Sequence, residues 1–405
     1  MKNNILTENT VAENSTTDNT VAKLQQPSGK FTLERIPKTT KGDLRAWDAA
    51  DELLLSHVFE KQLKKTDQTI LIINDSFGAL ATALHQYPIH SWSDSYLAHI
   101  AAFNNFKLNQ LDSNDYRAIP SSENLSQHYS LVIIKIPKTL GLLEDQLSRL
   151  KAYINADTTI IASAMSKHIH TSTLNTFEKI IGTTTTSRAT KKARLIFSNN
   201  DNEKSHPSPY PKTFRDDAHD LTLVNHANVF AKDRLDIGSR FLIEQLGQCP
   251  SSKHIVDLGC GNGALGIIAS RLQPQARLSF IDESYGAVKS SEQSYKLNNN
   301  DKTINANFYT NDCFNQFKAE TTDTTDGVDL ILCNPPFHQN HSVGDQIAWQ
   351  MLRQSHEQLV NNGEIWVIGN RHLGYHVKLK KLFGNCKTIT SNKKFVVLSA
   401  FKSDK

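Results

Sequence analysis

Short apolar runs alternate with longer amphipathic stretches along the second half of this sequence. The runs lie at 254–257, 277–281, 306–309, 328–333, 364–369 and 394–400. Stretches with helical periodicity separate most of them, and this alternation is typical of parallel strands joined by crossover helices. The last two runs lie close together, so we also predict a terminal antiparallel hairpin around 384–394.

The first half of the chain repeats part of this pattern. Ser95-Tyr96 and segment 106–109 recur as Ser284-Tyr285 and segment 295–298, each at an offset of 189. Gly182 and the lysine pair 191–192 recur as Gly384 and the pair 393–394, at an offset of 202. Because the matches keep their order while the offset grows slowly, we predict that one α/β domain was duplicated.

Composition divides the chain further. Segment 1–29 is rich in Asn, Thr, Glu and Gln, and it is predicted to be a disordered leader. Between the copies, polar residues and three prolines replace any hydrophobic period, which is typical of a linker. We therefore predict an α/β domain at 30–198, a linker at 199–217 and a second α/β domain at 218–405.

A glycine turn follows the first apolar run of the second copy. The sequence VDLGCGNG at 256–263 precedes a helix-like stretch at 264–272. This strand, turn and helix form the layout by which α/β proteins hold nucleotide-like ligands. Gly259, Gly261 and Gly263 remove side chains from the turn, so the backbone can lie against the methionine part of S-adenosylmethionine (AdoMet). A dinucleotide site is disfavoured because its glycine spacing fails here; a purely structural turn is the other alternative.

Acidic residues follow three successive predicted strands. Asp257 could hold the glycine turn or accept a hydrogen bond from the cofactor's ammonium group. Asp282, 25 positions later, is suited to accept hydrogen bonds from ribose hydroxyls, or to cap the next helix. Asp312, beside Asn311, could contact the adenine amino group or belong to a simple turn. We predict that all three acids contact AdoMet.

Asn334-Pro335-Pro336-Phe337 follows the run at 328–333 and gives the most specific chemical prediction. An amide oxygen and a backbone carbonyl can accept both N–H bonds of a planar amine and direct its lone pair at a methyl group. The prolines fix φ, and Phe337 offers a ring on which an extruded base can stack. We predict that Asn334, Pro335 and Phe337 are catalytic in methyl transfer to nitrogen. A proline-rich turn without function is the alternative.

The first copy lacks these features. Its turn, INDSFG at 73–78, has one glycine, and Phe77 stands where the second copy has Asn262. Lys135, which cannot accept hydrogen bonds, stands where the second copy has Asn334. We predict that the first copy keeps the fold and has lost the site.

Overall composition restricts the setting. The formal net charge of +4 is compatible with a nucleic-acid partner but does not require one. The five cysteines form no C-x-x-C pair, so neither a disulfide framework nor a metal site is predicted, and a cytoplasmic location is favoured. No apolar run is long enough to span a membrane, and the first 29 residues lack the apolar core of a signal peptide.

At these motifs the chain resembles the AdoMet-dependent ribosomal RNA guanine-N2 methyltransferases. It is most similar to the large-subunit methyltransferase G family, with small-subunit methyltransferase C as a near relative. The resemblance runs from about Phe31 to the C-terminus. Its further motifs are Ala46 to Glu52 (AWDAADE), 136–139 (IPKT), 170–173 (HTST), 225–230 (NHANVF), 334–338 (NPPFH) and 392–398.

The resemblance implies two tandem Rossmann-like AdoMet-methyltransferase domains, each a mostly parallel seven-stranded sheet flanked by helices. The degenerate N-terminal copy would help to bind RNA. The C-terminal copy would methylate the exocyclic N2 amine of one guanine in 23S rRNA. The implied partner is therefore 23S rRNA, with no membrane and no obligate protein partner.

Several alternatives remain open at the level of sequence. The substrate could be a guanine of 16S rRNA, an adenine of DNA or a glutamine side chain of a protein. Phe337, where enzymes of the last two kinds more often have tyrosine, weighs mildly against them. A non-enzymatic RNA-binding assembly factor is the alternative from a different class, and the intact Asp257, glycines and Asn334 argue against it.

Overall fold

The computed structural model describes residues 23–38, 44–61, 69–201, 203, 205–229, 234–299, 305–315, 317, 327–336 and 343–403. The elements of the first half are β1 (Lys23–Gln26), β2 (Gly29–Thr32), α1 (Ala49–Glu60), β3 (Ile70–Ile73), α2 (Ala79–Ala83), β4 (Ile89–Ser93), α3 (Tyr96–Leu108), β5 (Tyr116–Pro120), β6 (Leu131–Lys135), α4 (Leu140–Leu150), β7 (Thr159–Met165), α5 (Thr171–Ile180), β8 (Thr184–Thr186) and β9 (Ala193–Ser198).

The second half repeats this order. Its elements are β10 (Lys212–Asp216), β11 (Leu221–Asn225), α6 (Ile237–Ile243), β12 (His254–Leu258), α7 (Ala264–Leu272), β13 (Arg277–Asp282), α8 (Tyr285–Asn298), β14 (Ala306–Thr310), β15 (Val328–Cys333), α9 (Val343–Gln358), β16 (Leu359–Asn370), α10 (Tyr375–Phe383), β17 (Lys387–Ser391) and β18 (Phe395–Phe401).

Two seven-stranded sheets organise the molecule. Their strand orders are β5-β4-β3-β6-β7-β9-β8 and β14-β13-β12-β15-β16-β18-β17. In each sheet five strands are parallel, and the last two in the order pair antiparallel. The predicted fold, two tandem Rossmann-like domains with mostly parallel seven-stranded sheets, is confirmed. So is the terminal hairpin, which β17 and β18 form.

The central strands read as continuous apolar runs because helices cover both faces of each sheet. All four residues of β3 and all five of β12 are buried. Neighbouring residues of β12 enter different cores: Ile255 packs with α6 and α7, whereas Val256 packs with residues of α9 and α10. This double coverage is typical of parallel sheets.

A short antiparallel hairpin precedes each sheet, formed by β1–β2 and by β10–β11. Each hairpin is attached in the same way. The Thr32 backbone exchanges two hydrogen bonds with the Asn109 side chain (2.9 and 2.7 Å), and Thr222 does so with Asn298 (3.0 and 2.6 Å). The repeated asparagine therefore makes the same contact in both copies.

These hairpins correct two predicted boundaries. The predicted disordered leader, 1–29, is wrong over 23–29, because β1 and the turn to β2 are ordered there; residues 1–22 lie outside the described residues. The predicted linker, 199–217, is wrong over 212–216, where β10 pairs with β11. A polar strand of four or five residues lacks the apolar run from which a strand is predicted.

The two halves contact each other through equivalent loops. Ser95 and Ser284 form an antiparallel bridge, and the backbone amides of Tyr96 and Tyr285 each donate across it, to the carbonyl oxygens of Glu283 and Asp94 (both 3.0 Å). The first repeat motif detected in the sequence therefore forms a pseudo-twofold contact.

Asp94 is the buried centre of this contact. Its carboxylate accepts hydrogen bonds from Ser284 Oγ (2.7 Å), the Gly286 backbone amide (2.8 Å) and Asn228 Nδ2 (2.8 Å). A Cβ at Gly286 would lie 2.9 Å from Asp94 Oδ1, so the approach requires glycine there. An acid of the first half thus holds the start of α8 in the second.

Among the described residues, no helix combines the length and apolar character that crossing a membrane would require.

Candidate functional site

The glycine turn and the Asn-Pro-Pro segment follow two neighbouring parallel strands, β12 and β15, and lie side by side. Parallel pairing of β12 with β15 aligns Leu258 with Cys333, so Gly259 and Asn334 follow directly at the same sheet edge. A Cβ at Gly259 would lie 4.0 Å from the Asn334 carbonyl oxygen and 3.2 Å from Met351 Cε. The predicted cofactor and base sides are therefore adjacent.

The glycine turn has positive φ angles at its three glycines. Gly259, Gly261 and Gly263 have φ of 74°, 55° and 83°, a region that disfavours side chains. Among the described residues, apart from the chain neighbours of Gly261, no atom lies within 4 Å of the place where its Cβ would be. The turn is thus an open backbone surface, which fits the methionine part of AdoMet.

Asp257 holds the turn and keeps one oxygen free. Its Oδ2 accepts a hydrogen bond from the Gly266 amide of α7 at 2.9 Å. Its Oδ1 is buried and has no partner among the described residues. Burial raises the pKa of Asp257 to about 8, with smaller effects from its other contacts. An unsatisfied buried acceptor is costly, which makes it a candidate ligand contact.

Asp282 ends β13 and connects the turn to the next helix. Its carboxylate accepts from the backbone amides of Gly261 and Ser284, both at 3.0 Å. Ser284, not Asp282, is the N-cap of α8. Burial raises the pKa of Asp282. Each of its oxygens has a second lone pair, so the contacts leave it able to accept from ribose hydroxyls.

Asp312 follows β14 at the same edge. The neighbouring Asn311 amide donates to the Asp282 carbonyl oxygen at 2.9 Å, which brings this loop beside the turn. The Asp312 carboxylate itself accepts from Gln350 Nε2 (2.9 Å) and Asn315 Nδ2 (2.5 Å). These contacts tie the loop to α9, and the predicted contact with AdoMet stays a prediction.

The nitrogen of the Asn334 side-chain amide is hydrogen-bonded, whereas its oxygen has no partner among the described residues. Its Nδ2 donates to Asp236 Oδ2 (3.1 Å) and to Ser239 Oγ (3.0 Å). Its Oδ1 is buried without a partner among the described residues. Pro335 is buried and Pro336 exposed, while the predicted stacking residue Phe337 lies outside the described residues.

Asp236 and Ser239 were missed by the sequence analysis. Asp236 is the N-cap of α6 and accepts from the Ser239 amide at 2.9 Å. An Asp three residues before Ser, at the start of a helical stretch, is a recognisable capping signal. Nothing local indicates that the cap also reaches Asn334, which lies 98 positions later.

Comparison with known proteins agrees with this geometry. The RLMG N-terminal domain model matches residues 21–202, and the Methyltransferase small domain model matches residues 220–399. Ribosomal RNA large subunit methyltransferase G of Pseudoalteromonas translucida is 44% identical over 92% of this chain and 96% of that protein. The protein of the same name from Erwinia tasmaniensis is 44% identical over 94% of this chain and 100% of its own length. The chain belongs to the large subunit methyltransferase G family.

A solved structure supports the fold of this family member. A T. thermophilus 16S rRNA N2 methyltransferase, solved in complex with AdoMet and guanosine, has a TM-score of 0.72. The match covers 95% of this chain and 98% of that protein at 19% sequence identity. Membership in a methyltransferase family confirms AdoMet as the cofactor, as the glycine turn predicts.

In the RLMG N-terminal domain, side chains occupy the equivalent edge. Strand register aligns Lys135 with Asn334, since Ile73 pairs with Ile134 as Leu258 pairs with Cys333. Lys135 Nζ forms ion pairs with Asp51 (2.6 Å) and Asp48 (3.2 Å). A cation fixed by two carboxylates cannot accept from an amine.

The equivalent turn in that domain is also closed. Asn74 has φ of 64°, close to that of Gly259, but its side chain donates to the Lys135 carbonyl and to Gln146. The Phe77 ring is covered by the Arg35 guanidinium, 4.5 Å from its centroid. The backbone of a cofactor turn is therefore retained while its surface is filled.

Proposed function

We propose that this protein methylates the exocyclic N2 amine of a guanine in 23S rRNA, with AdoMet as donor. The observation that carries the proposal is the unpaired Oδ1 of Asn334, held beside the glycine turn by two contacts of its Nδ2. The names of its relatives, at 44% identity over nearly the whole chain, support the large-subunit substrate.

The chain's own residues would prepare the amine. Asn334 Oδ1 and a backbone carbonyl of the Asn-Pro-Pro segment would accept its two N–H bonds and direct the nitrogen lone pair towards the turn. AdoMet, when bound, supplies a methyl group on sulfur that is already activated for transfer. Gly259, Gly261, Gly263 and Asp257 would hold the methionine part, while Asp282 and Asp312 would contact ribose and adenine. Phe337 would stack on the base.

RNA contact is proposed for the same edge of the N-terminal domain. Lys138 follows β6, Lys167 follows β7, and Lys192 precedes β9; all three are exposed and have no ion pair among the described residues. The Ser166 amide donates to the Lys192 carbonyl at 2.7 Å, so the last two loops touch. We name Lys138, Lys167 and Lys192 the basic edge.

Two cations of the basic edge, Lys138 and Lys167, act on the same histidine. The pKa of His168 is lowered by partial desolvation and then by neighbouring cations that include Lys167 and Lys138. Lysines that form no ion pair among the described residues, and that are near enough to act on one histidine, favour an anionic polymer such as the RNA backbone. We also place the protein in the cytoplasm, since all five cysteines are free thiols, as in a reducing compartment.

The decisive experiment compares methyl transfer by the wild type and by Asn334→Ala. Labelled AdoMet and 23S rRNA that lacks the modification are the substrates, and mass spectrometry identifies the product as N2-methylguanine. We expect the variant to lose transfer by at least about 100-fold while its AdoMet affinity changes less than about twofold. Asn307→Ala, on the exposed side of β14, is the matched control.

Parallel reactions with 16S rRNA, DNA and a protein acceptor separate the other substrates. Transfer to one of these but not to 23S rRNA would contradict the proposed substrate. AdoMet binding without transfer to any of them would favour the assembly-factor alternative. Full activity of Asn334→Ala would contradict the role of Asn334.

A further inference from the structure

We propose that Asp236 is a positioning residue that fixes the side-chain amide of Asn334 in its reactive orientation. The inference rests on the proposed function and adds a residue that neither the motif nor the cofactor site contains. Asp236 Oδ2 lies 3.1 Å from Asn334 Nδ2 and 2.9 Å from the Ser239 amide nitrogen. One carboxylate oxygen therefore caps α6 and binds the amide.

The carboxylate of Asp236 fixes which way the side-chain amide of Asn334 faces. A carboxylate only accepts hydrogen bonds, so the group facing Asp236 must be the NH2 of the Asn334 amide. Ser239 Oγ accepts from the same nitrogen at 3.0 Å. The amide oxygen must then face the other way. Without these acceptors the side-chain amide could rotate by about 180°, which exchanges its oxygen and its NH2 group. The NH2 group would then face the N–H bonds of the substrate, which it cannot accept.

The surrounding packing preserves this arrangement. A Cβ at Gly238 would lie 2.9 Å from Asp236 Oδ2 and 3.6 Å from Asn334 Oδ1. A side chain at this position would therefore crowd the carboxylate and lie against the free oxygen. The glycine between the cap and Ser239 keeps the first turn of α6 close to the end of β15.

The degenerate copy gives independent support. Asp48 is the N-cap of α1, as Asp236 is of α6, and it also contacts the residue aligned with Asn334 at the end of the equivalent strand. That residue is Lys135, whose Nζ lies 3.2 Å from Asp48 Oδ1. In both copies the capping carboxylate binds a donor from the strand end. Only in the C-terminal copy is the donor an amide, which has an acceptor left for a substrate.

The test measures kcat, RNA KM and AdoMet affinity for Asp236→Ser and Asp236→Thr, whose hydroxyl lies closer to the backbone than Asp236 Oδ2 and so no longer reaches Asn334 Nδ2. Both replacements can still cap α6, so the fold is expected to persist. We expect kcat to fall about tenfold or more, in keeping with loss of a hydrogen bond to a charged group. RNA KM and AdoMet affinity should change less than about twofold. Asp48→Ser is the matched control, with kcat within about twofold of wild type.

A double-mutant cycle separates positioning from a structural effect. If Asp236 acts through Asn334, Asp236→Ser should lower the residual transfer of an Asn334→Ala protein by less than about twofold. Equal losses in both backgrounds, or unchanged kcat in the folded single variants, would overturn the inference. Absence of transfer by the wild type would instead contradict the proposed function, so the two failures are distinguishable.

Discussion

At the scale of single residues, the site is marked by polar atoms that the fold leaves unsatisfied. Asp257 Oδ1 and Asn334 Oδ1 are both buried without partners among the described residues, at the ends of adjacent strands. Asn370 Oδ1, at the end of β16, is a third such oxygen. In the degenerate copy, Lys135 and Asn74 are instead fully engaged. At these two aligned positions, unpaired acceptors therefore distinguish the second copy from the first.

The raised pKa of Asp257 gives a prediction for stability. The pKa is about 8 in the folded protein, against about 4 in an unfolded chain. The folded state thus keeps a proton that the unfolded state releases, and stability falls as pH rises through this window. Asp257→Asn removes the effect. Between about pH 5 and about pH 8, the free energy of unfolding of the variant should rise relative to that of the cofactor-free wild type by up to about 1.4 kcal/mol per pH unit.

Urea unfolding of both proteins at several pH values measures this difference. A difference that does not grow with pH would show that Asp257 is already ionised in the folded protein. AdoMet binding provides a second measurement. If the ammonium group of AdoMet contacts Asp257, wild-type affinity should rise with pH up to about 8, whereas that of the variant should not.

At the scale of elements, the hairpin β10–β11 connects the outer edge of the catalytic domain to its turn. Asn298 anchors the hairpin through Thr222, and β11 ends at Asn225. Asn225 Oδ1 accepts from Asn262 Nδ2, inside the glycine turn, at 3.0 Å. The hairpin, whose first strand was predicted as linker, therefore contacts the glycine turn through its second strand.

Replacement of the anchor tests this connection. Asn298→Ala leaves the Thr222 amide and carbonyl without their side-chain partners, so we expect it to destabilise the catalytic domain by about 1 to 3 kcal/mol. AdoMet affinity should also decrease. Asn109→Ala removes the equivalent anchor from the other hairpin and is the matched control, which should leave AdoMet affinity unchanged. Equal AdoMet affinities of the two variants would contradict the connection.

At the scale of the whole molecule, the two copies differ at the same edge of their sheets. The C-terminal copy keeps open backbone and unpaired acceptors, while the N-terminal copy fills the same edge and carries the basic edge beside it. The pseudo-twofold contact around Asp94 joins the copies next to Asp282, since Asp94 binds Ser284 and Gly286. The N-terminal copy thus holds the segment that directly follows Asp282.

The proposed RNA contact predicts a change in salt dependence. We expect Lys167→Gln with Lys192→Gln to weaken 23S rRNA binding and to lower the slope of log affinity against log salt by up to about 1.4 to 1.8, since each phosphate contact contributes about 0.7 to 0.9. AdoMet affinity should remain unchanged. Lys61→Gln with Lys107→Gln is the control, because both residues are exposed near helix ends at the opposite edge. An identical slope for both pairs would contradict the basic edge.

The sequence by itself determined two α/β copies, six strands of the second sheet, and which copy keeps the glycine turn and the Asn-Pro-Pro segment. These features are local: apolar period, glycine spacing and proline follow from neighbouring residues. Only the tertiary structure decided that polar segments form hairpins, that Asp94 reaches the other domain and that Asp236 binds Asn334. Such contacts join residues distant along the chain, and strand register and helix packing bring them together, so no local pattern encodes them.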